Sequence, residues 1–198
     1  MSKQKKILLL ICAFVLAGLV SIILLNKSHS VNKANITNQG EDSVSVVNLD
    51  TLKLEKKISV GKSPLGISIV NSKDIAVVGN IESQSLSIID LKVNEVIKTI
   101  PIDATPLGIV ADADGSRVFI TSWFKNQVLV LSTHDLTISE AFNVGATPSG
   151  ITFNEDYNLI IIANRDENTL EMYDAESFKL KKVLAVGSHP YGVSTSNH

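Results

Sequence analysis

The chain has 198 residues, 44% of them hydrophobic and 19% charged, which is an ordinary balance for one globular domain. Beyond residue 30 the net charge is negative, because leaving out Lys3, Lys5, Lys6 and Lys27 reduces 18 basic residues to 14 against 20 acidic ones. This excess of carboxylates argues against a nucleic-acid partner. Cys12 is the single cysteine, so the chain can form no internal disulfide.

The first predicted element is an uncharged apolar run of 19 residues at 7–25, preceded by three lysines. It is long enough to cross a bilayer, and the lysines before it predict a cytoplasmic N-terminus with the rest of the chain exported. We therefore expect a single-pass anchor with its linker at 1–30, placing domain 31–198 on the extracytoplasmic side of the cell membrane. The alternative is a secreted or periplasmic domain, because Ser28-His29-Ser30 has the small-x-small pattern of a signal-peptide cleavage site near Ser30.

After residue 30 the sequence repeats without a gap, with a period of 42 residues. Each unit contains a joint in which a glycine follows a proline by two positions. The four copies are Ser63-Pro64-Leu65-Gly66-Ile67, Thr105-Pro106-Leu107-Gly108-Ile109, Thr147-Pro148-Ser149-Gly150-Ile151 and His189-Pro190-Tyr191-Gly192-Val193. Self-similarity at a fixed period indicates a repeat architecture, and residues 31–198 amount to four complete periods.

Within each unit, short stretches rich in Val, Ile and Leu alternate with polar turn residues, as at 43–48, 66–70 and 75–79. Beyond the apolar run, the sequence has no sustained helical periodicity. Four short strands in a unit of about 40–45 residues are typical of a propeller blade. We therefore predict an all-β domain, a four-bladed β-propeller made of four 42-residue repeats.

Several of these segments carry a family resemblance. The strand Val118-Phe119-Ile120-Thr121-Ser122, the turn Asp112-Ala113-Asp114-Gly115 and the Val-Gly-x-x-Pro-x-Gly-Ile joint resemble the YVTN family of β-propeller repeats, over the whole of 31–198. The resemblance implies the propeller fold and leaves the function open, because relatives include surface-layer proteins, propeller subunits of redox enzymes and lactonases. We interpret Asp112 and Gly115 as turn residues, since the glutamate that would complete a calcium loop is missing.

The order of strands within a unit predicts how the ring closes. The domain begins with the second strand of a blade near Ala34, and it ends with an innermost strand at 191–195 that could complete the first blade. Closure of this kind leaves no open sheet edge. We expect a closed four-bladed monomer, and the alternative is a larger ring that combines two or more chains.

The proline joints and the turns between second and third strands should lie on one face of the ring, called here the upper face. There we expect the residues that bind a ligand or partner, namely Trp123, Phe124, Arg165, His189, Tyr191, Ser63, Thr105 and Thr147. Trp123 and Phe124 are adjacent aromatic residues in a turn that is mostly polar in the other units, so they are candidates for a contact surface. The alternative is that one of the two rings folds down over the blade.

The functional expectation is a membrane-tethered, extracytoplasmic binding or scaffold module whose partner is a protein or an extracellular polymer. The chain has no Gly-x-Ser-x-Gly, His-Glu-x-x-His or Cys-x-x-Cys-His motif, and His189 has no obvious second group with which to act. We therefore predict no catalytic residues, no metal site and no cofactor. The alternative, which follows from the family resemblance alone, is an enzyme or enzyme subunit of the lactonase-like or redox-associated type.

Overall fold

Four antiparallel sheets follow one another along the chain in the computed structural model, which describes residues 32–196. Sheet 1 contains β1 (Lys33–Asn38), β2 (Ser43–Asn48) and β3 (Lys53–Ser59). Sheet 2 contains β4 (Pro64–Val70), β5 (Ile75–Asn80), β6 (Ser85–Asp90) and β7 (Glu95–Pro101). Sheet 3 contains β8 (Pro106–Ala111), β9 (Arg117–Ser122), β10 (Gln127–Ser132) and β11 (Thr137–Asn143). Sheet 4 contains β12 (Pro148–Asn154), β13 (Leu159–Asn164), β14 (Thr169–Asp174) and β15 (Leu180–Ala185).

The sequence period is also a period of the backbone. Each turn between the second and third strands of a unit has one residue in the left-handed region, and these four residues are Asp42, Gln84, Asn126 and Asn168. The next turn repeats the feature at Leu52, Asn94, Leu136 and Phe178. Asp and Asn adopt this conformation more readily than most residues, which explains much of the polar composition of the first set.

The hydrophobic core lies between neighbouring sheets. Val44, Val46 and Ile58 of sheet 1 pack against Ala76 and Val78 of sheet 2. Sheets 2 and 3 share a second buried cluster, and sheets 3 and 4 share a third one that is rich in aromatic rings. Because successive side chains of a strand point to opposite faces, each inner sheet contributes alternate residues to two of these interfaces. This serial packing of sheets is the arrangement expected of propeller blades.

The inner strands approach one another closely at the joints. A Cβ atom on Gly66 of β4 would overlap the carbonyl oxygen of Leu107 in β8, and one on Gly108 of β8 would overlap that of Ser149 in β12. Glycine at this position therefore lets the inner strand of one sheet lie against the next.

The ring closure predicted for the last strand is wrong within the described residues. Residues 191–196 form no strand, and β1 pairs with β2 alone. The backbone N–H of Gly150 instead donates to the carbonyl oxygen of Tyr191 at 2.7 Å, and Ser149 Oγ lies 3.1 Å from that same oxygen. The physical reason is the joint contact just described: it holds residue 191 on sheet 4 in the way that it holds β12 on sheet 3.

The described residues from Lys33 onward form one compact unit by their internal contacts. The predicted anchor at 7–25 and the predicted cleavage site near Ser30 lie outside the described residues. Within 32–196, no helix has the length and apolar character needed to cross a membrane.

Candidate functional site

The upper face is built by a hydrogen bond that recurs at successive joints. The backbone N–H at the start of each turn donates to the carbonyl oxygen of the joint residue at 3.0 Å, in the pairs Ile81 to Ser63, Trp123 to Thr105, and Arg165 to Thr147. The structure therefore brings the proline joints and the turns after the second strands to the same edge of the sheets. The residues predicted to form the site lie at that edge.

A second set of bonds fixes the backbone of three joints. In each, the joint N–H donates to the side-chain oxygen of the left-handed turn residue 21 positions earlier, in the pairs Ser63 to Asp42 at 2.8 Å, Thr147 to Asn126 at 3.0 Å, and His189 to Asn168 at 2.8 Å. Short polar side chains often bond nearby backbone groups in this manner. The joints at Ser63 and Thr147 are consequently held by both sets of bonds, and their side chains are presented from a fixed backbone.

The central feature of the upper face is a cleft of about 250 Å³, named here the aromatic cleft. Its walls are Leu65, Ile81, Thr105, Leu107, Trp123, Phe124 and Tyr191. The ring centroid of Trp123 lies 6.4 Å from that of Phe124, with the planes at 70°, and 5.9 Å from that of Tyr191. The first pair is edge-to-face and the second is tilted at 55°, and aromatic contacts at these distances are favourable.

The rings of the aromatic cleft differ in exposure. Phe124 is 79% exposed and Tyr191 52% exposed, whereas Trp123 between them is half-buried. Trp123 thus has one side covered by its neighbours, and Phe124 does not fold down over the sheet. Exposed aromatic rings over an aliphatic floor are characteristic of surfaces that bind partners.

Thr147 and Arg165 belong to a separate polar cluster on sheet 4. Thr147 Oγ1 donates to Asp166 Oδ2 at 2.7 Å, and Arg165 Nη1 donates to Asp166 Oδ1 at 2.6 Å. The Thr147 hydrogen bond first, and the Arg165 bond and charge second, lower the pKa of the Asp166 carboxyl. The exposed His189 is near enough to act electrostatically on the same carboxylate. Sequence reasoning missed Asp166, whose only signal was its position in a predicted upper-face turn.

Ser63 takes no part in either group. It is buried, and its hydroxyl accepts a hydrogen bond from Gln39 Nε2 at 3.0 Å. The eight predicted residues therefore divide into the cleft residues Trp123, Phe124, Thr105 and Tyr191, the polar pair Thr147 and Arg165, the exposed His189, and the buried Ser63.

A buried carboxyl that the sequence did not single out lies between sheets 3 and 4. Glu171 Oε2 accepts from the Gly145 N–H at 2.9 Å and from the Tyr173 hydroxyl at 2.8 Å. Burial, and then this bond to Glu171, raises the pKa of the Tyr173 phenol. In sheet 2 the equivalent acceptor is Ser87, whose Oγ lies 3.3 Å from the Gly61 N–H. Glu171 therefore performs the same joint-holding role as a serine elsewhere in the repeat.

Within residues 32–196, no group of three or more His, Cys, Asp or Glu side chains is placed to hold a metal ion. Asp112 and Asp114, the carboxylates with a superficial likeness to a calcium loop, instead accept bonds within their own turn. Arg117 Nε donates to Asp112 Oδ2 at 2.9 Å, and the Ser116 N–H donates to Asp114 Oδ1 at 2.8 Å.

The structure is similar to a chain of hydrazine synthase from Kuenenia stuttgartiensis. The TM-score is 0.74 at 20% sequence identity, and the match covers 78% of this chain and 46% of that chain. At this identity the likeness shows a propeller-type fold and nothing about activity. The matched region spans less than half the length of the hydrazine synthase chain. No protein-family model and no curated protein matches the sequence.

Proposed function

We propose that the protein is a membrane-tethered binding module of the YVTN propeller type, which uses the aromatic cleft to engage a partner protein outside the cytoplasm. The observation that carries the proposal is the convergence of Trp123, Phe124 and Tyr191 around one open apolar cleft. Aromatic residues of this kind contribute a large share of the binding free energy in protein interfaces.

The size of the cleft favours a protein partner over a small molecule. Binding sites for small molecules usually enclose about 300–1,000 Å³, whereas the aromatic cleft has about 250 Å³ and opens onto the surface. This volume suits one or two apolar side chains of a partner. Lys125 and Asp103 form an ion pair at the same edge and supply the polar rim that commonly surrounds such contacts.

The enzymatic alternative has no comparable support. The Thr147 hydroxyl and the Arg165 guanidinium both donate to the Asp166 carboxylate, and none of the three groups lines the aromatic cleft. A catalytic site needs polar groups that converge on the space a substrate would occupy.

The binding proposal is tested by replacing both exposed aromatics. The W123A/F124A variant should recover the partner from envelope extracts of the source cells at least roughly tenfold less well than the unaltered chain, because two anchor side chains are lost. The matched control is Y157A, which removes a ring that is 76% exposed at the turn between β12 and β13. Equal recovery by W123A/F124A and Y157A would exclude the aromatic cleft as the binding site.

Trp123 also provides a direct signal, because it is the only tryptophan in the chain. Addition of the purified partner should shift its fluorescence emission to shorter wavelength, since binding removes water from a half-buried indole. Emission that stays unchanged at saturating partner would place the contact elsewhere on the molecule.

The tether is the second part of the proposal, and the run at 7–25 with its preceding lysines supports it. The full chain should stay with the membrane after an alkaline carbonate wash, and protease added outside intact cells stripped of their wall should degrade the domain. A soluble product that lacks the first 30 residues would contradict the anchor and would show that this segment is a cleaved signal peptide.

A further inference from the structure

Sheets 1 and 4 each expose a face whose counterparts are buried elsewhere in the repeat. Ile36 of β1 is 44% exposed, whereas the residues at the same repeat position in the other three sheets, Val78, Ile120 and Ile162, are all 0% exposed. At the opposite end, Leu184 of β15 is 39% exposed, whereas its counterpart Ile100 of β7 is 9% exposed. These two faces are the two halves of an interface that occurs three times inside the molecule.

The strands at the two ends are complementary as well. Within residues 32–196, sheet 1 lacks the inner strand that β4, β8 and β12 supply to the other sheets. The segment 190–195 lies against sheet 4 where the inner strand of a following sheet would lie. Gly150 meets the Tyr191 carbonyl in the way that Gly66 of β4 meets the Leu107 carbonyl of β8. Among the described residues, this segment has no strands beside it to form a sheet of its own. Sheet 1 therefore lacks an inner strand, and the segment 190–195 beside sheet 4 is a strand-length piece without a sheet.

We propose that a second copy of the chain fills this gap. Sheet 4 of each copy packs against sheet 1 of the other, and residues 190–195 of each copy pair with β1 of the other as its inner strand. Two identical interfaces between the copies, related by a two-fold axis, then close one ring of eight sheets. This number lies within the range of about 4–8 blades found in propellers, and closed two-fold symmetry is the commonest arrangement of homo-oligomers.

A lysine contact at the outer strands extends the same argument. Lys98 Nζ on β7 donates to the carbonyl oxygen of Leu136 in the outer turn of sheet 3 at 2.8 Å, and Lys56 reaches the equivalent turn of sheet 2 at 3.4 Å. Lys182 has the same repeat position on β15. Leu52 has the turn conformation of Leu136, with φ of 55° against 57°. In the proposed interface between copies, Lys182 therefore reaches the outer turn at Leu52 of the second copy.

Cross-linking of the full chain in membranes tests this interface between copies. In a C12A background, cysteines are introduced as L52C and K182C and treated with a short bismaleimide. The expected product on a denaturing gel is a covalent dimer, with no larger species. The matched control is L52C/K98C, because Lys98 faces sheet 3 of its own chain, and this pair should give no dimer.

Every other pattern of products would overturn the proposal. A link between the two cysteines of one chain would mean that sheets 1 and 4 of the same copy close on each other. A ladder of trimers and larger species would indicate an open filament, and the absence of any link would mean that the faces do not meet.

A second variant tests the apolar face without relying on the cysteine positions. L184K places a charge in the proposed interface between copies, so the yield of L52C/K182C dimer should fall by roughly tenfold or more. V93K is the control, because Val93 is 56% exposed in the outer turn of sheet 2, away from both end faces. An unchanged dimer yield in L184K, with the Trp123 emission of the folded chain retained, would contradict the proposed interface.

Discussion

Arg117 joins two sheets through three acceptors at once. Its Nε donates to Asp112 Oδ2 at 2.9 Å, its Nη1 to the Ala175 carbonyl at 2.7 Å, and its Nη2 to Glu176 Oε1 at 3.1 Å. The guanidinium also lies 5.4 Å from the ring centroid of Phe119, a distance at which cation–π attraction adds to the contact. One side chain thus ties the first hairpin of sheet 3 to the last turn of sheet 4.

Replacement of Arg117 with alanine should lower the free energy of unfolding by about 2 kcal/mol, because it leaves the buried Asp112 carboxylate without its counter-charge. Urea unfolding followed by circular dichroism measures the change. R165A is the matched control, since its carboxylate partner Asp166 is exposed, and we expect a much smaller effect there. Equal losses in the two variants would show that Arg117 stabilises no more than a surface ion pair does.

The sequence predicts residue roles only as far as local turn chemistry reaches. Asp112 and Gly115 form the predicted turn, with Gly115 at a φ of 72°. Asn80, in contrast, makes side-chain contacts that local turn chemistry does not specify. Its Nδ2 donates to Ser85 Oγ and Ser87 Oγ at 3.1 and 3.0 Å, because the β5–β6 register places Ser85 opposite Asn80. That contact requires the register of two strands, which a single sequence does not specify.

At the scale of elements, strands and joints follow directly from the repeat. Each unit supplies its own turn residues and its own proline joint, so the same sheet forms wherever the pattern recurs. Closure does not follow, because it depends on the small rotation between neighbouring sheets, which accumulates over the whole series. Residue 191 therefore continues the series next to sheet 4, and sheet 1 has three strands in the part of the chain that the structure describes.

The joint glycines Gly66, Gly108 and Gly150 should be intolerant of even one added carbon. G108A should lower the free energy of unfolding by about 1–3 kcal/mol, since the new Cβ would overlap the Ser149 carbonyl and overpacking costs this much. G40A is the control, because nothing lies within 4 Å of a Cβ at Gly40. Thermal unfolding of both variants measures the difference, and a G108A variant as stable as G40A would mean that the inner strands separate without cost.

At the scale of the whole molecule, the repeat predicted which residues share a face but not which of them touch. Four of the predicted residues, Trp123, Phe124, Thr105 and Tyr191, line one cleft. Thr147 and Arg165 bond with Asp166 instead, and Ser63 is buried. The separation of these groups depends on the distances between successive joints, which the period of the sequence does not contain.

Hydrogen exchange of the full chain, followed by mass spectrometry with and without the captured partner, tests most directly whether the aromatic cleft is the binding site. Peptides that contain Thr105, Trp123 and Tyr191 should exchange more slowly in the complex, because the partner excludes water from these backbone segments. The turn at 155–158, between β12 and β13, should exchange at the same rate in both states. Slower exchange confined to other segments, with the three cleft peptides unaffected, would contradict the proposed function.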